Sequence, residues 1–189
     1  MAAGVQQSLL YLVQVIFSLY SVAIILRIMM RAVHADYYNP LVHAVAKITA
    51  YPVNWIKKIV PDLGKVELAS VLYLILIVFI KAVLVIILNG YKPALLGSLV
   101  WAVGNTIALF IQVIFYIVIL RALLTWIPSV QVSIQMLLAQ LSEPFMAPAR
   151  RVIPLIGGLD LSPIAVLIIL QILTFLVANP IMNIGLSLA

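Results

Sequence analysis

Residues 141–163 read LSEPFMAPARRVIPLIGGLDLSP, and a weaker copy, ITAYPVNWIKKIVPDLGKVELAS, occupies residues 48–70. In the second copy Glu143-Pro144 closes a short amphipathic segment and Arg150-Arg151 sets two adjacent cations beside it. Pro154 with Gly157-Gly158 turns the chain. Asp160, Ser162 and Pro163 then start a helix: Ser162 is expected as its N-cap, Pro163 at its first position, and Asp160 near the positive end of its dipole. Laid over each other, the copies place Lys57-Lys58 on Arg150-Arg151, Pro61 on Pro154, Gly64 on Gly157 and Glu67 on Asp160, each 93 positions apart. Upstream, Arg27 falls on Arg121 with one residue inserted. A fixed period of this length marks a duplicated architecture.

Both copies lie between long apolar runs. Hydrophobic residues make up 66% of the 189 positions and charged residues 8%, where soluble domains carry roughly a quarter charged. Lipid is therefore the main solvent, and about 20 apolar residues suffice to cross it. The first repeat, 1–92, reads as spans at about 8–30 and 68–89 around a basic linker, 31–67. The second repeat, 93–189, has spans at about 98–126 and 163–187 around the motif linker, 127–162. The first run continues past Ser21-Val22-Ala23 and no basic region precedes it, so it reads as a span and not as a cleaved signal peptide.

Leu41, Val45, Ile48, Trp55, Ile56 and Ile59 recur at helical spacing in the first linker, interrupted by Pro52. They predict a broken amphipathic helix in the membrane interface. Ile134, Leu137, Leu138 and Leu141 give the second linker the same pattern. Asn179-Pro180 predicts a kink in the last span, with the freed backbone groups satisfied inside the bundle. The fold class is thus an all-α membrane protein: four transmembrane helices as two parallel two-helix repeats, each with an amphipathic interfacial linker. Two spans per repeat bring both linkers to one side. Linker one carries Arg31, Lys47, Lys57, Lys58 and Lys65, linker two Arg150 and Arg151, and the turn between repeats only Lys92. The excess of cations predicts cytoplasmic linkers and external termini.

The net charge of +6 suits anionic headgroups beside the spans and gives no reason to invoke nucleic acid. With no cysteine, thiolate chemistry and disulfides are excluded. No phosphate loop, nucleophile elbow or metalloprotease motif is present, so an enzyme is not expected and no cofactor or metal is implied. Arg150, Arg151, Asp160, Glu143, Lys57 and Lys58 are the candidate lipid- or partner-binding set, since a guanidinium pair can grip phosphates or carboxylates. The same residues also suit a topology anchor with an internal ion pair. Arg27 and Arg121 either snorkel to the headgroups or face inward to pair with Glu67 and Asp160. Lys81 lies deep in the second span, where an ionisable group is by default a functional candidate. It either serves a pathway, snorkels outward, or bonds to Asn105, Gln112, Gln171 or Asn179. His34 and His43 have no counterparts in the second repeat.

Glu143-Pro144, Pro148, Arg150-Arg151, Ile153-Pro154, Gly157-Gly158 and Asp160-Leu161-Ser162-Pro163-Ile164 resemble the signature of the YggT family of small integral membrane proteins. The resemblance covers essentially the whole chain. It implies four spans in the two-repeat bacterial form and residence in the bacterial inner membrane. It also implies roles in osmotic-stress tolerance and potassium homeostasis, association with cell-division or envelope genes and, in thylakoid relatives, cytochrome assembly and haem attachment. It brings no catalytic residues. Three readings follow: an assembly or scaffolding factor acting through the basic linkers, a small oligomeric ion channel or transporter, and a cytochrome or haem assembly factor. A membrane-protein partner or a homo-oligomer fits the first two.

Overall fold

The computed structural model of the chain describes residues 2–62, 67–125, 127, 131–153 and 160–188, with side chains from residue 4. Pro154, Gly157-Gly158, Gly64 and Lys65, all named above, and Trp126 at the end of the third expected span lie outside the described residues. Within them the chain is helical: α1 Ala2–Ala32, α2 Pro40–Lys57, α3 Leu68–Leu88, α4 Leu95–Leu124, α5 Val132–Val152, α6 Ser162–Leu173 and α7 Asn179–Ser187. A π-helical turn, Thr174–Ala178, joins α6 to α7. Four continuous helices are long and apolar enough to cross a membrane: Gly4–Ala32, Leu68–Leu88, Leu95–Leu124 and Ser162–Ser187. In each, at most 22% of the most apolar stretch is buried within the protein. The outer surface is therefore itself apolar, with Ile16, Leu19, Ile168, Phe175 and Leu176 all exposed, as a lipid-facing surface requires.

α1 and α3 run antiparallel, since Arg27 near the end of α1 meets Glu67 at the start of α3, and Gln6 at the other end donates to the Leu88 carbonyl. α4 pairs in the same sense with α6 and α7, and α3 packs on α4 to join the repeats. α2 rests on α1 and α3, and α5 on α4 and α6. Asn39, the cap of α2, donates from Nδ2 to the Ser133 carbonyl of α5 at 3.0 Å, so both amphipathic helices occupy one end of the bundle. One apolar core runs through both repeats, with Ile24 and Ile25 of α1, Leu74 and Val78 of α3, Ile117 and Val118 of α4, and Leu141 and Met146 of α5.

Two expectations about proline require correction. Pro52 does not break α2, and Glu143-Pro144 does not close α5, which continues through Pro144 and Pro148 to Val152. Each proline removes one helical donor. The carbonyls so orphaned belong to Ile48, Gln140 and Pro144, all exposed, where interfacial water can satisfy them. Burying Val42, Thr49 and Val53 on one helix, and Leu137, Leu141 and Met146 on the other, keeps both helices intact. In the last span the kink expected at Asn179-Pro180 takes the form of the π turn just before it. The Asn179 N–H bonds five residues back, to the Thr174 carbonyl, and the Thr174 hydroxyl donates to the Leu170 carbonyl at 3.1 Å. The wider turn absorbs the missing Pro180 donor.

Candidate functional site

The polar residues gather where each span meets its amphipathic helix. In the first repeat Arg27 grips the Glu67 carboxylate with two donors, Nε at 2.8 Å and Nη2 at 3.2 Å. Its Nη1 donates to the Thr49 hydroxyl at 3.1 Å and to the Ala46 carbonyl at 3.3 Å. One guanidinium thus ties α1 to α2 and to the start of α3. Lys57 reaches Glu67 at 2.7 Å and Asp62 at 3.4 Å, and Arg31 pairs with both carboxylates as well. The Ser70 hydroxyl also donates to Glu67. The Glu67 side chain is fully buried. Burial alone would raise its pKa, but the hydrogen bonds from Arg27, Lys57 and Ser70, with the charge of Arg27, outweigh it and hold the pKa at about 2.

The second repeat builds the same clasp, its arginine 94 positions on and its linker partners 93. Arg121 Nη1 donates to the Ser142 hydroxyl at 2.7 Å and to the Ala139 carbonyl at 3.5 Å, the counterparts of Thr49 and Ala46. The Ser142 hydroxyl donates back to the Leu138 carbonyl as the Thr49 hydroxyl does to Val45, each at 2.7 Å. Arg150 pairs with Asp160 at 3.0 Å, as Lys57 does with Glu67.

The difference lies in the partner of Arg121. It faces inward but meets Glu143 at 3.0 Å, not Asp160, and Glu143 also takes Arg150 at 3.3 Å. Asp160 is one methylene shorter than Glu67 and turns back to its own helix, where Oδ1 accepts the Ser162 N–H at 2.9 Å. This corrects the expected cap: α6 already includes Ser162, Leu161 stands at the cap position, and Asp160 satisfies the first free N–H. Burial alone would raise the Asp160 pKa, but Ser162 and Arg150 hold it below the ordinary carboxylate range.

Lys57, Arg150, Glu143 and Asp160 therefore direct their charges within the chain. Arg151 is exposed and makes no ion pair with the described residues. Lys58 is exposed and lies 4.7 Å over the Trp55 ring, a cation–π contact. Lys81 donates to the Ser18 hydroxyl of α1 at 2.9 Å, a partner outside the four expected for it. Sequence reasoning missed Thr49, Ser142, Asp62 and Ser18. The signal for the first two was on the page, since both hydroxyls sit at matching places in the two copies. Among the described residues no group of three His, Cys, Asp or Glu could hold a metal ion.

Duplicated arginine clasps on a four-span helical frame define a multi-pass, tandem-repeat membrane protein. The chain belongs to the CCB3/YggT family, whose profile matches it twice, over residues 6–88 and 100–181. The two matches restate the repeat independently. A Vibrio alginolyticus protein described by its place in the proC 3′ region is 34% identical over 91% of this chain and 94% of its own length. YggT of Escherichia coli (strain K12) is 29% identical over 91% of this chain and 90% of its own. The chloroplastic YlmG homolog protein 2 of Arabidopsis thaliana is 35% identical over 46% of this chain and 35% of its own, the length of one repeat. No solved structure matches the chain.

Proposed function

We propose that the protein is a non-enzymatic assembly or scaffolding factor of the bacterial inner membrane, with both amphipathic helices on the cytoplasmic side and both termini outside. The observation that carries this reading is the paired clasp. It fixes α2 and α5 against the spans with charges neutralised inside the chain, and leaves Arg151, Lys47 and Lys58 exposed beside Ile48, Tyr51, Trp55 and Val152. A rigid basic platform with aromatic side chains suits anionic headgroups and a membrane-protein partner lying against them. The cationic excess of the linkers supports the cytoplasmic side. Support of osmotic tolerance or potassium homeostasis is the physiological role that the family resemblance suggests.

The test is growth at high osmolarity of a strain lacking the protein, complemented with Lys58→Ala/Arg151→Ala. Loss of growth is expected while the amount of protein in the membrane stays normal. Full complementation would overturn the reading. Arg150 is left intact, because its loss would disturb the clasp as well as the exposed surface.

A channel or transporter is the second reading, and a cavity lined by Gln14, Ser18 and Lys81 between α1, α3 and α4 favours it. Within one chain, however, Ile24, Leu74 and Val78 are fully buried at the levels between Lys81 and Arg27. An ion path would have to run between copies of a homo-oligomer. Potassium flux in proteoliposomes no greater than in empty liposomes would remove this reading. Haem handling draws little support from the histidines: His34 sits at the corner after α1, and His43 packs edge-on against Tyr37.

A further inference from the structure

At the end of the bundle opposite the amphipathic helices, α1, α3, α4 and α7 line a partly open cavity of about 410 Å³. Its polar lining is Gln14, Ser18, Lys81 and Ser98. Lys81 uses one N–H on Ser18 and has no carboxylate within reach of its span, because the five acidic residues stand at 36, 62, 67, 143 and 160. An ammonium has three donors, so two remain. Ser98 is 2% exposed, and its hydroxyl has no hydrogen-bond partner among the described residues. Such a group, left dry, costs free energy.

The third feature is the start of α4. The first helical bond there runs from the Ser98 N–H to the Ala94 carbonyl, and Ala94 offers no side-chain cap. The N–H groups of Leu95, Leu96 and Gly97 precede that bond, and buried Gly97 lines the cavity. Lys81, Ser98 with its unpartnered hydroxyl, and Gly97 in the uncapped first turn of α4 all line one space, and a cation, a free hydroxyl and a helix N-terminus each favour negative charge. Apolar Val85, Ile86, Trp101 and Leu186 form the remaining wall. Lys81 is seven residues from Leu88, the end of its helix, about 10 Å at the helical rise, so its place on the span lies below the headgroup layer.

We propose that this cavity binds a single phosphate-type oxyanion, carried by an anionic phospholipid of the leaflet opposite the amphipathic helices. Lys81 supplies the countercharge, Ser98 donates its free hydroxyl, the α4 N-terminus adds its dipole, and the apolar wall receives the acyl chain. The site is independent of the clasps and of the exposed platform.

Trp101 lines the cavity and reports its occupancy. The protein carrying Trp55→Phe and Trp126→Phe, leaving Trp101 as the single tryptophan, is reconstituted in phosphatidylcholine bilayers doped with brominated phosphatidylglycerol. Trp101 fluorescence is then compared with that in brominated phosphatidylcholine. The expected result is a clear preference for the anionic lipid. Lys81→Met lowers it about tenfold, as loss of a charge-assisted bond does, and Lys81→Arg retains it. Ser98→Ala removes only the hydroxyl and lowers the preference about threefold. Equal quenching by the two lipids in the unsubstituted cavity, or an unchanged preference in properly inserted Lys81→Met, would overturn the proposal. Displacement by excess inorganic phosphate would overturn the lipid as source and assign the site to a free anion.

Discussion

Arg27 holds Glu67 through two parallel hydrogen bonds across 40 positions of sequence, and the same guanidinium closes on Thr49 and Ala46 of the intervening helix. Three helices are thereby fixed by one planar group, which a lysine cannot imitate. The pair is buried on the carboxylate side and nearly so on the other, with side-chain exposures of 0% and 14%. Its loss is therefore felt as an unpaired charge, not as a missing surface contact.

Glu67→Gln is expected to destabilise the protein by about 3 kcal/mol, because it leaves Arg27, Arg31 and Lys57 facing a neutral amide. Thermal unfolding in detergent reads the effect. A shift no larger than that of an exposed control such as Lys47→Gln would show that the clasp contributes little.

Acid should weaken the same clasp. Glu67 has its pKa lowered from 4.5 to about 2 by its basic partners, so folding is favoured by the ionised form. That contribution is complete above about pH 4.5 and is lost as pH falls from there toward 2. Asp160, also lowered, adds in the same direction. The melting temperature should drop over this window in the wild type and drop less in Glu67→Gln. A parallel decline in both would assign the acid sensitivity to other groups.

Glu143 is half exposed, at 49%, and its ion pairs are screened accordingly. Glu143→Ala, which installs the residue found at the matching position 50, should cost about 1 kcal/mol or less. The two repeats thus differ in how much their carboxylates matter. Equal losses from Glu143→Ala and Glu67→Gln would contradict that.

α4 and α7 approach each other closely at Gly185. A Cβ there would stand 2.7 Å from the Trp101 Cα and 2.8 Å from its Cβ, and one at Gly104 would stand 2.8 Å from the Met182 backbone nitrogen. Small residues at such contacts let membrane helices approach. Gly185→Ala should cost about 2–3 kcal/mol by forcing the helices apart, which unfolding in detergent would show. A neutral result would mean that the approach is looser than the geometry indicates.

His34 adopts φ 54° at the end of α1. Its N–H bonds to the Arg31 carbonyl and the Ala35 N–H to the Met30 carbonyl, a Schellman ending that favours glycine. Gly90 ends α3 in the same way, at φ 82°. His34→Gly should therefore stabilise the protein by about 0.5–1 kcal/mol, the relief of left-handed strain less the greater freedom of unfolded glycine. A lower melting temperature would mean that the imidazole makes a contribution larger than its strain.

The apolar runs, the linker periodicity and the 93-residue offset were legible because each is a local or repeating property of the chain. They led to four spans, two amphipathic helices and the matched places of Lys57 with Arg150 and Glu67 with Asp160. The prolines misled, because a lost helical bond is a local penalty while the buried faces of α2 and α5 are tertiary. Arg27 and Glu67 could be paired on paper. Arg121 with Asp160 could be paired equally well, and there the shorter side chain turned to its own helix and left Glu143 to serve.

By itself the sequence determined that this protein lives in lipid, crosses it four times and repeats its plan, since hydropathy and period do not depend on how helices pack. Tertiary structure alone decided which cation meets which carboxylate, that Lys81 rests on Ser18 and that Ser98 faces a cavity without a partner. Those choices depend on side-chain reach of a few ångströms and on the angle between helices, which residue spacing along one chain does not encode.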